Sequence, residues 1–294
     1  MMNILVTGCM GQLGRSFRRS MDSSGHECIW TDVRESDGVV SLDITDPEAV
    51  SSMVKEHSVD VIVNCAAYTN VNKAEEDEAV AFRINAEAPG ILAAVAAEAG
   101  AVLIHISTDY VFDGMGYIPY TEDMPVAPLS AYGRTKLAGE QAVISSGCKY
   151  LIFRTAWLYS IYGGNFVQTI YDKTAAQPVV KVVADQIGTP TFAQDLADTI
   201  AAIIDTGMLD RTGIYHFTNE GVCSWYDFAK EICDISGHLC HVMPCRTSDY
   251  PSPTRRPHYS VLDKTKIKET FNIEIPHWKD SLAFCLRQME ENAL

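Results

Sequence analysis

The sequence predicts an α/β protein built on a Rossmann-type doubly wound parallel sheet, with a smaller mixed α/β domain attached to it. Two observations support this prediction. In the first half of the 294 residues, short runs rich in apolar and β-branched residues alternate with helical patterns, as in stacked βαβ units. The first run, Asn3–Val6, leads directly into a glycine-rich turn and a helical pattern from about Gln12, which is the order of elements in a dinucleotide-binding unit.

The later elements of the first half have recognisable boundaries. Asp46 suits the N-cap of a helix and Pro47 its first position. Val59–Asn64 is apolar nearly throughout, as expected of a strand covered on both faces, and Gly100 and Gly147 each end a helix. The predicted elements are strand Cys28–Thr31, a helix from Asp46, strand Val59–Asn64, helix Ile91–Ala99, strand Val102–Ser107, helix Ala131–Ser146 and strand Tyr150–Thr155.

The second half is less regular. It contains an amphipathic helix within Phe192–Thr206, a strand at Gly213–Thr218, a helix at Ser224–Ser236 and a proline-rich loop at Pro251–Pro257. We predict a dinucleotide-binding domain over residues 1–155, to which the chain returns around 181–218. Residues 156–294 would form mainly a substrate-binding domain.

Charge and composition narrow the function. Lys and Arg number 23 against 38 Asp and Glu, a net charge of −15, which weighs against nucleic acid or anionic lipid as partners. The apolar run at the N-terminus is too short for a signal peptide or membrane span, so we expect a cytoplasmic protein. The nine cysteines include no Cys-x-x-Cys pair and are expected to be reduced. No metal site is predicted, because the cluster His238, Cys240, His241 and Cys245 matches no usual zinc spacing.

The turn after the first strand is a candidate cofactor loop. Gly8, Gly11 and Gly14 are spaced Gly-x-x-Gly-x-x-Gly, the form typical of short-chain dehydrogenase/reductases. Such glycines permit a tight turn and a close approach of the backbone to a pyrophosphate, which the helix N-terminus then binds. Asp32, at the end of the second strand, can accept hydrogen bonds from the adenosine ribose. Asp32 favours NADH, but Arg34 could offset its charge, so NADPH and NADH both remain open.

A catalytic pair of the form Tyr-x-x-x-Lys occurs twice. A tyrosine is a weak acid with a pKa near 10, and a lysine one helical turn away can stabilise its phenolate. Tyr132 and Lys136 lie shortly after Thr108, which stands just past a strand where α/β sheets bind ligands. Tyr226 and Lys230 lie in an aromatic helical stripe that is typical of packing. We therefore interpret Tyr132, Lys136 and Thr108 as the catalytic set.

Longer motifs surround these residues, and together they cover nearly the whole chain in order. They are Asn64–Thr69, Ser107–Gly114, Ala131–Glu140, Phe153–Tyr159, Asn165-Phe166, Asp185–Thr191 and Arg256–Leu262. In these motifs the chain resembles the dTDP-4-dehydrorhamnose reductase family of extended short-chain dehydrogenase/reductases. The resemblance implies hydride transfer from NADPH or NADH to C4 of a nucleotide-linked 4-keto sugar, the last step of dTDP-L-rhamnose synthesis.

The resemblance also implies a role for individual residues. Tyr132 would donate a proton to the sugar oxygen, Lys136 would hold the nicotinamide ribose and tune Tyr132, and Thr108 would orient the carbonyl. Thr108, Asp109 and Trp157 would contact the nucleotide-sugar. The cofactor would be lined by Gly8, Gly11, Gln12, Leu13, Gly14, Asp32, Asp43, Ile44, Ala67, Tyr68, Thr69, Ile106, Tyr132 and Lys136.

Several alternatives remain open at this point. Asn70 and Asn72 stand where the family pattern leads us to expect Ala and Asp. A non-catalytic nucleotide-binding relative, such as the regulatory subunit of methionine adenosyltransferase, or a nucleotide-sugar epimerase or dehydratase would share the fold. Some relatives dimerise through magnesium, but no equivalent carboxylate cluster can be placed here, so we expect a monomer or homodimer without a required metal.

The net charge does not exclude anionic small molecules. Residues 246–268 carry six basic side chains against two acidic ones, a local charge of +4. Arg255 and Arg256 in the proline-stiffened loop suit recognition of a substrate pyrophosphate by a planar guanidinium.

Overall fold

Seven parallel strands form the centre of the computed structural model, which describes residues 1–250 and 252–291. Pro251 of the predicted proline-rich loop and residues 292–294 lie outside the described residues. The strands are β1 Asn3–Thr7, β2 Glu27–Asp32, β3 Val40–Ser41, β4 Val61–Asn64, β5 Val102–Thr108, β6 Lys149–Thr155, β7 Leu158–Tyr159, β8 Val179–Val183, β9 Ile187–Gly188, β10 Thr191–Phe192, β11 Gly213–His216, β12 Cys223–Ser224 and β13 His241–Cys245. The helices are α1 Gln12–Met21, α2 Pro47–Glu56, α3 Val71–Glu76, α4 Glu78–Phe82, α5 Ala88–Ala99, α6 Ala131–Ser145, α7 Phe166–Ala176, α8 Ala193–Asp205, α9 Trp225–Ile235, α10 Thr265–Phe271 and α11 Trp278–Glu291.

The strand order of the large sheet is β11-β6-β5-β4-β1-β2-β3, and every pairing in it is parallel. Apolar side chains of α1 and α8 cover one face, and those of α2, α5 and α6 cover the other. The predicted doubly wound Rossmann-type fold is therefore confirmed. The strand order reverses beside β1, and ligands of such sheets bind beyond the carboxyl ends of the strands at that point.

Local sequence explains the boundaries that place these elements. The Asp46 carboxylate accepts hydrogen bonds from the N–H groups of Glu48 (3.0 Å) and Ala49 (3.2 Å), as an N-cap does. All four residues of β4 are buried, which explains its continuous apolar run. Gly100 ends α5 with a φ of +71°, a conformation that favours glycine.

A second lobe is built on the parallel pair β8 and β13, with α7, α9 and α11 packed around Phe228 and Trp278. Between its parts the chain returns to the large sheet, where α8 packs on α1 and β11 pairs with β6. Later, Ile267 and Phe271 of α10 join the core beside β11. The division at residue 155 stays a prediction, but the chain crosses between the two lobes more than once.

The helical stretch Glu78–Ala99 is the one described segment long and apolar enough to cross a membrane by length and composition. It consists of α4, a π-helical segment at Arg83–Glu87, and α5. The α5 helix packs on α2, α6, β4 and β5. Packing within the fold therefore accounts for its apolar residues.

Candidate active site

The turn after β1 places glycines where a side chain does not fit. Gly8 has a φ of +65°, and a Cβ there would lie 2.6 Å from the backbone nitrogen of Ala66. A Cβ on Gly14 would lie 2.4 Å from the carbonyl oxygen of Gly8, so α1 packs directly on the turn. A Cβ on Gly11 would meet only that same oxygen, at 3.3 Å. Packing therefore requires Gly8 and Gly14, whereas Gly11 leaves room for a ligand.

The first turn of α1 is open to an anion. Gly11 is its N-cap, and no side chain of the described chain caps this helix. Helix N-termini carry unpaired N–H groups and a partial positive charge. The side-chain oxygen of Gln12 accepts hydrogen bonds from the Ser160 hydroxyl (3.0 Å) and the Asn165 amide (3.1 Å), which ties the turn to the second lobe. The residues present thus fit the pyrophosphate of a nicotinamide dinucleotide.

Acidic residues lie at the predicted adenosine end. The Asp32 carboxylate accepts hydrogen bonds from the N–H groups of Met10 (3.1 Å) and Val33 (2.9 Å), so it is held against the glycine turn. Asp43 is exposed, and hydrogen bonds from the Thr45 side chain and backbone lower its pKa. The predicted cofactor residues Leu13 and Ile44 are both buried in the core. We infer that only their backbone atoms could reach a cofactor.

A second group of predicted cofactor residues follows β4. Ala67 and Tyr68 are half-buried, and Thr69 is exposed. The backbone of Tyr68 is held by the buried side chain of Asn85, which accepts from its N–H (2.8 Å) and donates to its oxygen (3.0 Å). Asn85 lies in the π-helical segment, a helix form often found at functional sites. It positions this loop although sequence reasoning did not single it out.

The catalytic residues predicted from sequence converge at the carboxyl end of β5. Thr108 ends the strand, donates to Asp109 Oδ1 (2.9 Å) and accepts from the Tyr110 N–H (3.2 Å). Tyr132 lies on α6, and its ring packs edge-on against Tyr110 at a centroid distance of 5.5 Å. One turn along, the buried Lys136 donates through Nζ to the Ile106 carbonyl oxygen (2.6 Å).

Local sequence brings α6 this close to β5. The Ser130 hydroxyl caps α6 by accepting from the Gly133 N–H (3.1 Å). A Cβ on Gly133 would lie 2.3 Å from the carbonyl oxygen of Tyr110, so glycine is needed directly after Tyr132. On the next turns, a Cβ on Gly139 would lie 2.1 Å from the carbonyl oxygen of Asn85.

Burial dominates the electrostatics of the catalytic set. It raises the pKa of Tyr132 above its usual value; a hydrogen bond with Thr108 opposes this rise, and the Asp109 carboxyl adds to it. Burial also lowers the pKa of Lys136 to about 8 and raises the pKa of Asp109 to about 7. Lys136 is not among the groups that shift the Tyr132 pKa in this structure, and its Nζ donates to the Ile106 carbonyl oxygen. A raised pKa keeps the Tyr132 hydroxyl protonated at neutral pH, as a proton donor must be.

The other Tyr-x-x-x-Lys pair has different surroundings. Lys230 is exposed and forms an ion pair with Asp234 on its own helix. Tyr226 packs on the apolar core of the second lobe. Neither residue lies at the carboxyl end of the large sheet, so the geometry favours Tyr132 and Lys136.

A cavity of about 770 Å³ opens between Tyr110 and the second lobe. Trp157 lines it with a φ of +50°, rare for a bulky residue, and its ring stacks on Trp225 at 3.6 Å. A Cβ on Gly188 would lie 2.8 Å from the Trp157 ring, so glycine is required beside it. Strained residues of this kind cluster at ligand sites. Trp225, which belongs to the same aromatic helical stripe as Tyr226, is thus also part of the cavity wall.

Both predicted arginines line the same cavity. Arg256 is half-buried and donates to the Tyr110 hydroxyl (3.0 Å) and to the Asn72 side-chain oxygen (3.0 Å). Arg255 is exposed and approaches the Met115 sulfur at 3.3 Å. Among the described residues, neither guanidinium pairs with a carboxylate. Their charges therefore remain available to an anionic ligand.

Comparison with known proteins identifies the family. A sequence profile described as the RmlD substrate binding domain matches residues 2–291. The dTDP-4-dehydrorhamnose reductase of Burkholderia thailandensis is 39% identical, over 98% of this chain and 99% of its own length. The chain belongs to the dTDP-4-dehydrorhamnose reductase family. The resemblance inferred from the motifs is confirmed.

Solved structures of the family share the fold. The crystal structure of a dTDP-4-dehydrorhamnose reductase from Clostridium acetobutylicum is 44% identical with a TM-score of 0.92, covering 98% of this chain and 100% of that one. A family member from Bacillus anthracis, solved in complex with NADP, is 34% identical with a TM-score of 0.90, covering 98% and 99%. The glycine turn and open α1 terminus of this chain thus occur in a family with a known nicotinamide-dinucleotide complex.

Proposed function

We propose that the protein reduces dTDP-4-dehydro-L-rhamnose to dTDP-L-rhamnose with NADPH or NADH. The observation that supports this most directly is the convergence of Thr108, Tyr132 and Lys136 at the sheet edge that also carries the glycine turn, in a chain of this family. The two pyrophosphate-bearing ligands would approach from opposite sides, the cofactor at α1 and the nucleotide-sugar at the cavity of Arg256.

The chemistry divides between cofactor and protein. When bound, the cofactor would supply the hydride that adds to C4 of the sugar, with its own oxidation to NADP⁺ or NAD⁺. Tyr132 donates its hydroxyl proton to the carbonyl oxygen, so that the C=O group becomes CH–OH, and the phenolate then regains a proton from solvent. Lys136 would direct its ammonium protons to the nicotinamide ribose. Thr108 now donates to Asp109, so it must release that bond before its proton can orient the substrate oxygen.

The cavity residues would hold the rest of the substrate. Arg255 and Arg256 would bind the pyrophosphate, since a planar guanidinium pairs with two phosphate oxygens. Trp157, supported by Trp225, would pack on the sugar, and Asp109 would accept or donate a hydrogen bond at its hydroxyls. One oxygen of Asp109 is buried without a partner among the described residues, which supports a ligand contact there.

We also propose that the protein works in the cytoplasm as a monomer or homodimer, without a nucleic-acid or membrane partner. The net charge of −15 supports the absence of polyanionic partners.

The test is oxidation of NADPH or NADH with dTDP-4-dehydro-L-rhamnose, with identification of the product. Tyr132→Phe should lower kcat by about 10²- to 10⁴-fold, the usual contribution of a positioned proton donor. Tyr226→Phe, the matched control in the second Tyr-x-x-x-Lys pair, should leave kcat within about twofold.

Two outcomes would overturn the proposal. Tight nucleotide binding without cofactor oxidation would indicate a non-catalytic relative. Cofactor that stays bound through purification and is recycled without net oxidation would indicate an epimerase or dehydratase.

A further inference from the structure

His105 is a fully buried polar residue in the otherwise apolar middle of β5, three residues before Thr108. Its ring lies between two polar side chains. Nδ1 is 3.0 Å from the Asn64 side-chain nitrogen, and Nε2 is 3.5 Å from Lys136 Nζ. The proposed chemistry does not yet use this ring, although it contacts the proposed catalytic lysine.

The hydrogen bonds around Asn64 determine which ring nitrogen carries the proton. The backbone N–H of Ala66 (3.2 Å) and the hydroxyl of Thr7 (2.7 Å) both donate to Asn64 Oδ1. A backbone N–H can only donate, so the amide cannot be reversed, and its NH₂ group faces His105 Nδ1. Burial and the nearby Lys136 charge lower the pKa of His105 well below its usual value, so the ring is neutral. A neutral imidazole has one acceptor and one donor, and the donor is therefore Nε2–H.

This tautomer affects Lys136 directly. An ammonium group has three donors and no acceptor, so it cannot form a hydrogen bond with another N–H. The 3.5 Å separation agrees with a contact that is not a good hydrogen bond. Within the described chain, the Ile106 oxygen is the one protein acceptor close to Lys136 Nζ. The other ammonium protons are left for a ligand.

The remaining charged and titratable neighbours do not change this conclusion. Tyr132 and Glu140 share the α6 face of Lys136 at four residues on either side. The Glu140 carboxylate is already occupied by Arg154 and by the Ser107 hydroxyl. It raises the pKa of Lys136, whereas burial lowers it to about 8.

We propose that His105 is a positioning residue for Lys136. Its Nε2–H, which Asn64 and Thr7 fix, offers the ammonium group no acceptor within the protein. The ammonium protons therefore remain available to the ribose hydroxyls of the bound cofactor. This inference rests on the proposed function for the cofactor it names. It predicts that replacing Nε2–H with an acceptor weakens cofactor binding even though the fold is kept.

The first measurement needs no activity. Full-length protein labelled with ¹⁵N-histidine is examined by long-range ¹H–¹⁵N correlation, and His105 is assigned by the signal lost in His105→Asn. An Nε2–H pattern that persists from pH 6 to 9 is expected. An Nδ1–H pattern, or a doubly protonated ring, would overturn the proposal.

The second measurement compares two variants. In His105→Gln the side-chain oxygen can accept a proton from Lys136, so the Kd of NADPH, measured by fluorescence titration, should rise about three- to tenfold. The basic limb of the pH profile of kcat/KM should also move upward by about half to one pH unit, because an acceptor favours the ammonium form. His105→Asn keeps a partner for Asn64 but places nothing opposite Lys136, and its Kd should stay within about twofold of the wild type.

If His105 had a purely structural role, both variants would lower the stability together and leave the basic limb of the kcat/KM profile in place. This result would refute the proposal. If His105→Gln does not fold, Asn64→Asp serves instead, since its carboxylate must accept from Nδ1–H and so leaves Nε2 as the acceptor. The tautomer and the Kd are read without sugar substrate. They therefore decide the role of His105 even if the wild type fails to reduce the keto sugar.

Discussion

Removing one partner of the buried ion pair between Arg154 and Glu140 should destabilise the protein strongly. Glu140 accepts from Arg154 Nε (2.9 Å) and from its terminal nitrogen (2.7 Å), and both side chains are 3% exposed or less. The guanidinium also lies over the Phe112 ring at 5.2 Å. This pair joins α6 to β6 four residues from Lys136, so it holds the helix that carries the proposed catalytic residues Tyr132 and Lys136.

The magnitude follows from desolvation. In Arg154→Met the Glu140 carboxylate stays buried with Ser107 as its remaining donor among the described residues. An uncompensated buried charge costs about 3–5 kcal/mol, a large part of the roughly 5–15 kcal/mol that stabilises a typical domain. Adding Glu140→Gln removes the second charge and keeps an acceptor for Ser107. The double variant should therefore be at least ~2 kcal/mol more stable than the sum of the single changes predicts.

Equilibrium unfolding in urea at pH 7 gives the free energy of unfolding of the wild type, the two single variants and the double variant. The ion pair of Arg134 with Glu78 on the surface is the matched control, because it is also bidentate (2.9 and 3.0 Å) but its side chains are 46% and 48% exposed. Arg134→Met should cost less than about 1 kcal/mol. If Arg154→Met costs no more than Arg134→Met, or the cycle shows no coupling, the reasoning is wrong.

Three further predictions concern the ligand sites. Gly11→Ala should weaken NADPH binding at least about tenfold but change the Tm little, because its Cβ meets only one protein atom. Gly14→Ala should destabilise the fold itself by ~1–3 kcal/mol, because its Cβ would overlap the glycine turn. Equal Tm values for the two variants, measured by differential scanning fluorimetry beside the binding titration, would contradict this prediction. Asn72→Asp should raise the KM of the nucleotide-sugar about three- to tenfold at constant kcat, because a carboxylate would neutralise Arg256; an unchanged KM would remove Arg256 from the pyrophosphate site. Asp109 has a pKa of about 7 in the fold against 3.8 for the free group, so the fold retains a proton that the unfolded chain releases, and this group makes stability fall as the pH rises from about 4 to 7. Asp109→Asn should lack this decline and gain roughly 3 kcal/mol relative to the wild type between pH 4.5 and 7.5; parallel unfolding curves at the two pH values would refute it.

The parts of the fold that could be predicted are those specified by local sequence. β1, β4 and β5 are continuous apolar runs, and the glycine turn and the Tyr132–Lys136 spacing are short-range patterns with a direct structural reason. Helix α7 was missed, although Asn165 caps it by accepting from the Gln168 N–H (3.1 Å), a signal present in the sequence. Four of the five described two-residue strands, β7, β9, β10 and β12, carry no such signal, since pairing with distant segments defines them.

The missed functional neighbours have the same origin. Trp225 meets Trp157, Arg154 meets Glu140, and His105 meets Asn64 only after the chain has folded. In the sequence, Trp225 belongs to an aromatic helical stripe and His105 to the interior of a predicted strand. Both positions are compatible with a purely structural role. Motif spacing therefore predicts the groups proposed to react, whereas the residues proposed to orient them come together only through tertiary contact.

The charge of the cavity explains how an acidic protein could bind the pyrophosphate of the proposed nucleotide-sugar. Four basic side chains line it, Lys173, Lys181, Arg255 and Arg256, against the single carboxylate of Asp185. That carboxylate accepts hydrogen bonds from the backbone N–H and hydroxyl of Thr247, so its charge is already partly satisfied. Because salt screens exposed charges beyond about 8–10 Å, a bound pyrophosphate responds to these near groups far more than to the distant acidic surface. We therefore expect the local positive charge of the cavity, rather than the net charge of −15, to decide whether a small anion binds there.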